Sequence, residues 1–150
     1  MEIILFEPEI PPNTGNVARL CAALELKLNL IEPLGFKIDD KHLKRAGLDY
    51  WPHVNLAIWP DWAAFKKDWT GGRLLGTSAR DGALYYEASF AKDDGLVFGP
   101  ETRGLPPEVK ADLDSLLRVP ILPAVRSINL ATCVGMVAGE AVRQLSLWPA

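Results

Sequence analysis

Histidine and cysteine are scarce in this chain, with two of each in 150 residues. His42 lies in a basic stretch and His53 follows a Trp-Pro turn, so neither sits in a pattern that acid–base or metal chemistry uses. Cys21 and Cys133 are far apart in predicted helices, with no zinc-ligand spacing and no disulfide framework, which suits a reducing cytoplasm. An excess of positive charge is also missing: 16 Lys and Arg stand against 19 Asp and Glu, a net charge of −3. No global field announces nucleic acid, so such a partner would have to meet a local basic patch or one built between subunits. No apolar run approaches the roughly 20 residues that span a bilayer. The N-terminal MEIILFEPEIPP has no basic n-region and too short an apolar run for a signal peptide, so no membrane partner is expected. There is no G-x-G-x-x-G after the first strand, no G-x-x-x-x-G-K-[ST] and no G-x-S-x-G. A dinucleotide oxidoreductase, a P-loop enzyme and a serine hydrolase are therefore unsupported. Repeats, low-complexity tracts and linkers are lacking too, and the length suits a single domain over residues 1–150. The chemistry expected is one that works without a metal, a histidine or a cysteine nucleophile.

What the sequence does contain is alternation. Short apolar runs at Glu2 to Glu7, Leu28 to Glu32, Val54 to Trp59, Arg73 to Ser78, Gly95 to Gly99 and Leu116 to Val119 read as six strands. Helical patterns intervene. One follows Asn13 or Thr14 as its cap and places Val17, Leu20, Cys21 and Leu24 on one side. A second starts at Asp39 or Asp40 and ends at Gly47; its Lys41, Lys44 and Arg45 form either a solvated face or a phosphate-contacting patch. Asp61 caps a third, and Pro107 to Leu113 is a fourth. Residues 79–93 read as irregular. The result is an α/β fold: a mainly parallel six-stranded sheet covered by helices, its strands lacking strict alternation because both faces are buried.

The longest helix is expected within Pro120 to Gln144, PILPAVRSINLATCVGMVAGEAVRQ, entered through a proline-flanked loop. Ser127 and Asn129 lie at its start, where spare amides favour polar partners. Three strand ends carry small, polar or Gly/Pro-shaped residues: Thr77-Ser78, Gly99 to Gly104 and Ile121 to Leu130. Taken singly these are a plain turn, a surface charge at Glu101 paired with Arg103, and a capped core helix. On parallel strands they lie along one edge and can form a backbone-lined cleft for an adenosine-like ligand. Arg19, in the first turns of its helix, faces the same edge in this reading, with Asn13, Asn16 and Arg19 on a drifting polar stripe.

Three motifs in order sharpen the picture: PPNTGNVAR (Pro11 to Arg19), LVFGPETRGLP (Leu96 to Pro106) and RSINLATCVGMV (Arg126 to Val137). With them the chain resembles the SPOUT superfamily of S-adenosylmethionine-dependent RNA methyltransferases. Within it the chain is similar to the TrmL/YibK group, the tRNA (cytidine/uridine-34) 2′-O-ribose methyltransferases. The resemblance covers essentially the whole chain. It implies a C-terminal deep trefoil knot, a homodimer, a tRNA substrate (leucine tRNAs in the family), and S-adenosylmethionine as cofactor with no metal. The cofactor residues it implies are Thr77, Ser78, Gly99, Pro100, Glu101, Gly104, Ile121, Leu122, Ser127 and Leu130. The catalytic positions it implies are Arg19, Asn13, Glu101, Ser127 and Asn129. Arg19 matches the arginine described in the family as taking the 2′-hydroxyl proton. A guanidinium stays charged, so its expected role is to orient the hydroxyl and stabilise the forming alkoxide. Asn129 positions the ribose or holds Arg19. The family's tyrosine in the last helix is Gly139 here, before Glu140-Ala141. RNA contacts are expected from Lys41, Lys44, Arg45, Arg80 and Arg103, and close packing of the last helix, within the knot or across the dimer, at Gly135 and Gly139. Two other readings stay open: the same chemistry on a different tRNA or rRNA ribose, and a non-catalytic RNA-binding factor with the same fold.

Overall fold

The run EIILF forms β1 (Glu2–Phe6), and its apolar side chains are buried in alternating directions. Ile3 and Leu5 enter one core, Ile4 and Phe6 the other, as the two-residue period of a strand dictates. A strand apolar on both faces needs a layer on each side. The computed structural model, which describes residues 1–39 and 50–150, supplies both layers. The elements after β1 are α1 (Pro11–Ala23), β2 (Lys27–Ile31), β3 (Asn55–Trp59), α2 (Trp62–Asp68), β4 (Leu74–Thr77), β5 (Ala83–Leu84), β6 (Gly95–Phe98), α3 (Pro107–Lys110), β7 (Ser115–Arg118) and α4 (Leu130–Leu145). Among the described residues the strands form one seven-stranded sheet in the order β3-β2-β1-β6-β4-β7-β5, with every pairing parallel.

α1 and α4 cover one face. Val17, Ala18 and Cys21 of α1 and Val134, Val137, Ala138 and Ala141 of α4 share a core with Ile3, Leu5, Leu28 and Leu96. The other face belongs to α2 and α3, where Phe65 and Val109 join Ile4, Phe6 and Val97. Phe65 is only 1% exposed, and its ring centroid lies 5.7, 5.3 and 5.4 Å from those of Trp59, Trp62 and Trp69. Such an aromatic knot contributes packing beyond simple burial, about 0.5–1.5 kcal/mol per pair. Asp61 caps α2 by accepting from the Ala64 amide at 2.7 Å, as its position predicts. At the opposite end of α4, Gln144 donates to the Ala88 carbonyl at 2.9 Å and accepts from the Phe90 amide at 3.2 Å, which fixes the helix against the chain before β6.

The sequence reading needs two corrections, and one of its elements is not tested. The sheet has seven strands rather than six, because the stretch expected to be irregular contains β5 and a single 3-10 turn at Tyr85–Glu87. Two residues are too short a run to show any period. Neither Asn13 nor Thr14 caps α1. The helix starts at Pro11 on the fixed dihedral of proline, its N-cap Ile10 makes no side-chain cap, and both polar residues are buried inside the first turns. Beyond Asp39, the expected helix from Asp39 or Asp40 to Gly47, with Lys41, Lys44 and Arg45, lies outside the described residues.

The β4–β5 connection is unusual. Parallel strands normally require a crossover of a dozen or more residues to return along the sheet, but residues 78–82 suffice here because β5 begins, on the far side of β7, at the level where β4 ends. Thr77 and Ala83 are both in register with Leu117, one on each side. The connection has only to step over β7. It does so closely: a Cβ on Gly82, whose φ is +103°, would sit 2.3 Å from the Leu116 carbonyl oxygen. No larger residue fits that crossing without displacing backbone.

Candidate functional site

The carboxyl ends of β1, β6, β4 and β7 are adjacent in the sheet, and a cleft of about 530 Å³ opens above them. Ligands of open parallel sheets bind at this edge. Each wall comes from one loop. The Thr77 to Asp81 loop follows β4, the Gly99 to Leu105 loop follows β6, and residues 119–130 follow β7 and lead into α4. Ile10 and Asn13, after β1, close the fourth side.

Local backbone geometry explains the second wall. At the end of β6 the chain turns back, with the Gly104 amide donating to the Pro100 carbonyl at 3.0 Å. A Cβ on Gly99 would lie 2.4 Å from both the Gly104 carbonyl carbon and the Leu105 nitrogen. The turn closes only because that Cβ is absent.

Hydrogen bonds tie the walls together and consume most of the polar groups that the motifs share. Glu101 accepts from the Glu9 amide at 2.8 Å through Oε2, and from the Ile10 amide at 3.1 Å and Asn13 Nδ2 at 3.2 Å through Oε1. Asn13 Oδ1 accepts from Asn129 Nδ2 at 2.9 Å. Asn129 Oδ1 accepts from the Thr132 amide at 3.2 Å and so caps α4. The relay Glu101–Asn13–Asn129 therefore joins the β6–α3 loop, the start of α1 and the start of α4. Its carboxylate sits at the N-terminal end of α1, where the helix dipole favours negative charge. A second pair of contacts reinforces the join. Thr102 donates through Oγ1 to Glu9 Oε1 at 2.8 Å, and Arg103 forms an ion pair with Glu7.

Of the residues expected to meet the cofactor, Thr77, Ser78, Gly99, Pro100, Glu101, Gly104, Ile121, Ser127 and Leu130 all line this cleft. Leu122 does not; it is 73% exposed, its side chain turned outward by the loop between Pro120 and Pro123. Asn13, Ser127 and Asn129 line the cleft as well. Arg19 does not line the cleft of its own chain. It is exposed, and its guanidinium carbon lies 5.3 Å from the centre of the Tyr50 ring. Because α1 begins at Pro11, Arg19 falls in its third turn. Asn13 and Arg19, six residues apart, point about 120° away from each other at 3.6 residues per turn. The expected stripe of Asn13, Asn16 and Arg19 thus splits into a buried member and two exposed ones.

Ile10, Asp81, Lys110 and Cys133 also face the cleft and were not expected to, as does Arg126, which the segment Ile121 to Leu130 included without singling it out. Arg126 and Cys133 stood inside a quoted motif. The signal for Asp81 was the run from Ser78 to Gly82, a polar turn at a strand end. Burial pushes the Cys133 thiol up to about 11, so it remains protonated at neutral pH and acts as a small apolar wall. Two arginines expected to contact RNA are engaged within the chain: Arg103 with Glu7, and Arg80 with backbone carbonyls of the third wall. A Cβ placed on Gly135 or Gly139 would meet nothing within 4 Å, so neither glycine is required for packing inside the chain.

A parallel α/β domain whose carboxyl-edge cleft is bordered by residues of all three motifs, with no glycine fingerprint after β1, is the arrangement that the methyltransferase resemblance implies and not that of a dinucleotide oxidoreductase. The chain belongs to the SpoU rRNA Methylase family, whose model matches residues 1–139. It is 49% identical over 145 residues to a tRNA (cytidine(34)-2'-O)-methyltransferase of Saccharophagus degradans, covering 95% of this chain and 94% of that one. It is 44% identical over 150 residues to the protein of the same name from Escherichia coli, covering 97% and 94%. A solved structure concerned with the 2-OH methylation of C/U34 on tRNA superimposes with a TM-score of 0.93 at 52% identity, covering 97% of this chain and 95% of that one. The fold is also that of the AviRb methyltransferase of Streptomyces viridochromogenes in complex with AdoMet, with a TM-score of 0.85 at 21% identity, covering 97% and 60%.

Proposed function

We propose that this protein transfers a methyl group from S-adenosylmethionine to the ribose 2′-hydroxyl of nucleotide 34 of a tRNA. The observation that carries the reading is the relay Glu101–Asn13–Asn129, which joins all three motif loops around one cleft. The relatives named for this reaction support the choice of nucleotide. The cleft suits the cofactor. Its volume of about 530 Å³ falls within the range of roughly 300–1,000 Å³ usual for small-ligand sites. Its walls offer backbone amides and carbonyls at the ends of β4 and β6, with apolar surface from Ile121 and Leu130. When bound, S-adenosylmethionine supplies an electrophilic methyl on a sulfonium.

The protein's own groups then have defined tasks. Gly99 to Gly104, Thr77-Ser78 and residues 121–130 hold and orient the cofactor and exclude water. Asn129, already fixed by Asn13, presents its face of the cleft to the ribose together with Ser127. Arg19 orients the 2′-hydroxyl and stabilises the negative charge that develops on its oxygen. Since Arg19 does not line its own cleft, it acts in the homodimer that we propose, where Arg19 of the partner subunit completes each site. The half-buried positions Gly135 and Gly139 on α4, where a Cβ would meet only open space, offer a smooth surface for that dimer. The five-residue arch over β7 supports the expected knot, with the segment after β7 threaded beneath residues 78–82. The setting is the cytoplasm.

The test is to methylate tRNA lacking modifications with labelled cofactor and to map the product. A 2′-O-methyl group at nucleotide 34 is expected; a label mapping only to another ribose would overturn the assignment. Arg19→Ala should abolish transfer and leave cofactor binding intact. Mixing Arg19→Ala with Asn129→Ala should restore partial activity, because a mixed dimer contains one intact site. No restoration would place Arg19 and Asn129 in the same site of one chain.

A further inference from the structure

Arg80 bridges two walls of the cleft. Its Nη2 donates to the Val125 carbonyl at 2.7 Å, and the Pro123 carbonyl lies at 3.5 Å. It sits on the arch that steps over β7, and that arch is itself well anchored. The Ser78 amide donates to the Leu117 carbonyl at 2.9 Å, and the Ser78 hydroxyl accepts from the amides of Arg80 and Asp81 at 3.3 and 3.2 Å. The segment it grips is different. Residues 119–129 contain no helix or strand. Among their internal backbone bonds is a turn in which the Val125 amide donates to the Leu122 carbonyl at 2.9 Å. Leu122 and Val125 are exposed at 73% and 43%, so burial of their side chains does little to hold this turn in place.

We propose that Arg80 is a positioning residue: by clamping the Val125 carbonyl it fixes the 119–129 wall in the geometry that binds S-adenosylmethionine. The proposal rests on the cofactor reading of the cleft. It reassigns Arg80 from RNA contact to cofactor-wall latch. An arginine suits this task because its rigid planar guanidinium holds Nη2 in place at the Val125 carbonyl and its charge strengthens the bond. Both contacts come from the one nitrogen Nη2, so what lysine loses is pre-organisation: its ammonium is a compact, more strongly hydrated charge on a flexible stem and holds the carbonyl less firmly.

The experiment compares wild type, Arg80→Ala and Arg80→Lys as full-length protein without ligand. Hydrogen exchange is read at the Val125 amide, and S-adenosylhomocysteine affinity is read by calorimetry. Loss of a hydrogen bond from a charged donor should speed Val125 exchange in Arg80→Ala by about tenfold or more, with exchange in β1 and β6 unchanged. Affinity for S-adenosylhomocysteine should fall by about tenfold, with Arg80→Lys between the two. Unchanged exchange at Val125 would overturn the latch, as would faster exchange with unaltered affinity. A wild-type protein that binds no S-adenosylhomocysteine would instead sink the cofactor reading, while the exchange data would still decide whether Arg80 holds the wall.

Discussion

Replacing Glu101 by glutamine tests whether this carboxylate is a clamp or a reagent. The side chain accepts three hydrogen bonds, from the Glu9 amide, the Ile10 amide and Asn13 Nδ2. All three partners are donors. Glutamine is nearly isosteric but has one acceptor oxygen and one amino group. If its oxygen takes the place of Oε1, the bonds to Ile10 and Asn13 survive and the new NH₂ faces the Glu9 amide, donor against donor, across a gap of 2.8 Å. The flipped orientation keeps one bond and opposes two donors, so the first is preferred. The variant therefore loses one charge-assisted bond and the favourable placement of a negative charge at the start of α1. Bonds to charged groups contribute about 1.5–3 kcal/mol, and a helix-terminal charge adds about 0.3–1 kcal/mol. The expected loss is about 2–4 kcal/mol. In a chain of this size that lowers the melting midpoint by roughly 4–16 °C.

Urea denaturation at fixed protein concentration measures the loss, and a double-mutant cycle of Glu101→Ala with Asn13→Ala, each of which removes it, isolates the shared bond. Glu101→Ala, which loses all three bonds, should be less stable than Glu101→Gln. The clamp reading also makes a kinetic demand. Activity of folded Glu101→Gln should fall only modestly at saturating cofactor, because no proton passes through the carboxylate. A glutamine variant as stable as wild type yet inactive would refute the clamp and make Glu101 the base.

Other substitutions probe the remaining parts. Asn129→Ala removes the cap on Thr132 and the bond to Asn13, so a stability loss of about 1–2 kcal/mol is expected. Methyl transfer should fall further than that loss explains; a variant that is destabilised but methylates normally per folded molecule would make Asn129 a cap only. Gly99→Ala places a Cβ 2.4 Å from backbone atoms of Gly104 and Leu105, an overlap that costs about 1–3 kcal/mol, and calorimetry should show weakened S-adenosylhomocysteine binding. The Glu140 carboxyl is held at about 2, below its ordinary 4.5, chiefly by its hydrogen bonds from Arg143 and then from Gln144. A depressed folded-state value stabilises above the ordinary value, so the advantage of wild type over Glu140→Gln should be constant at neutral pH and shrink as pH falls from 4.5 towards 2. An advantage that persists at the acid end in thermal melts would exclude this linkage.

Much of this protein was legible without coordinates because its local signals are strong. The buried strands announced themselves as apolar runs bounded by proline, glycine and polar turns, and the six anticipated strands fall within about a residue of their places. The seventh escaped because β5 holds its place through β7 and not through its own composition; Ala83 and Leu84 carry no strand preference to speak of. The cleft was readable from strand ends, since parallel strands put those ends on one edge. Individual side-chain directions were not. Leu122 sat in the right loop but faces solvent, and Arg19 sat in the right motif but points away from its own cleft. Leu122 turns on the local geometry of its loop, which spacing alone does not supply, whereas the separation of about 120° between Asn13 and Arg19 follows from six residues of helix, too wide a drift for one cleft to use both.

The relay gives a physical reason for three separated motifs to occur together. Asn13 reaches Glu101 across 88 residues of sequence and Asn129 across 116. No single motif can satisfy its own polar groups: Asn13, 7% exposed, would be left with unmet donors and acceptors if either partner changed. Such a loss costs about 1–3 kcal/mol per buried group, comparable to a substantial fraction of a domain's stability. The motifs are therefore coupled by hydrogen bonding before any ligand arrives. A substitution in one should be rescued more readily by change in its bonded partner than by change elsewhere in the cleft. Asn13→Asp provides the sharpest case. It sets a carboxylate against Glu101 while keeping an acceptor for Asn129, so Glu101→Gln should recover in the double variant part of the stability that Asn13→Asp loses alone. Strict additivity of the two losses would show that the loops are joined by packing and that the relay is incidental.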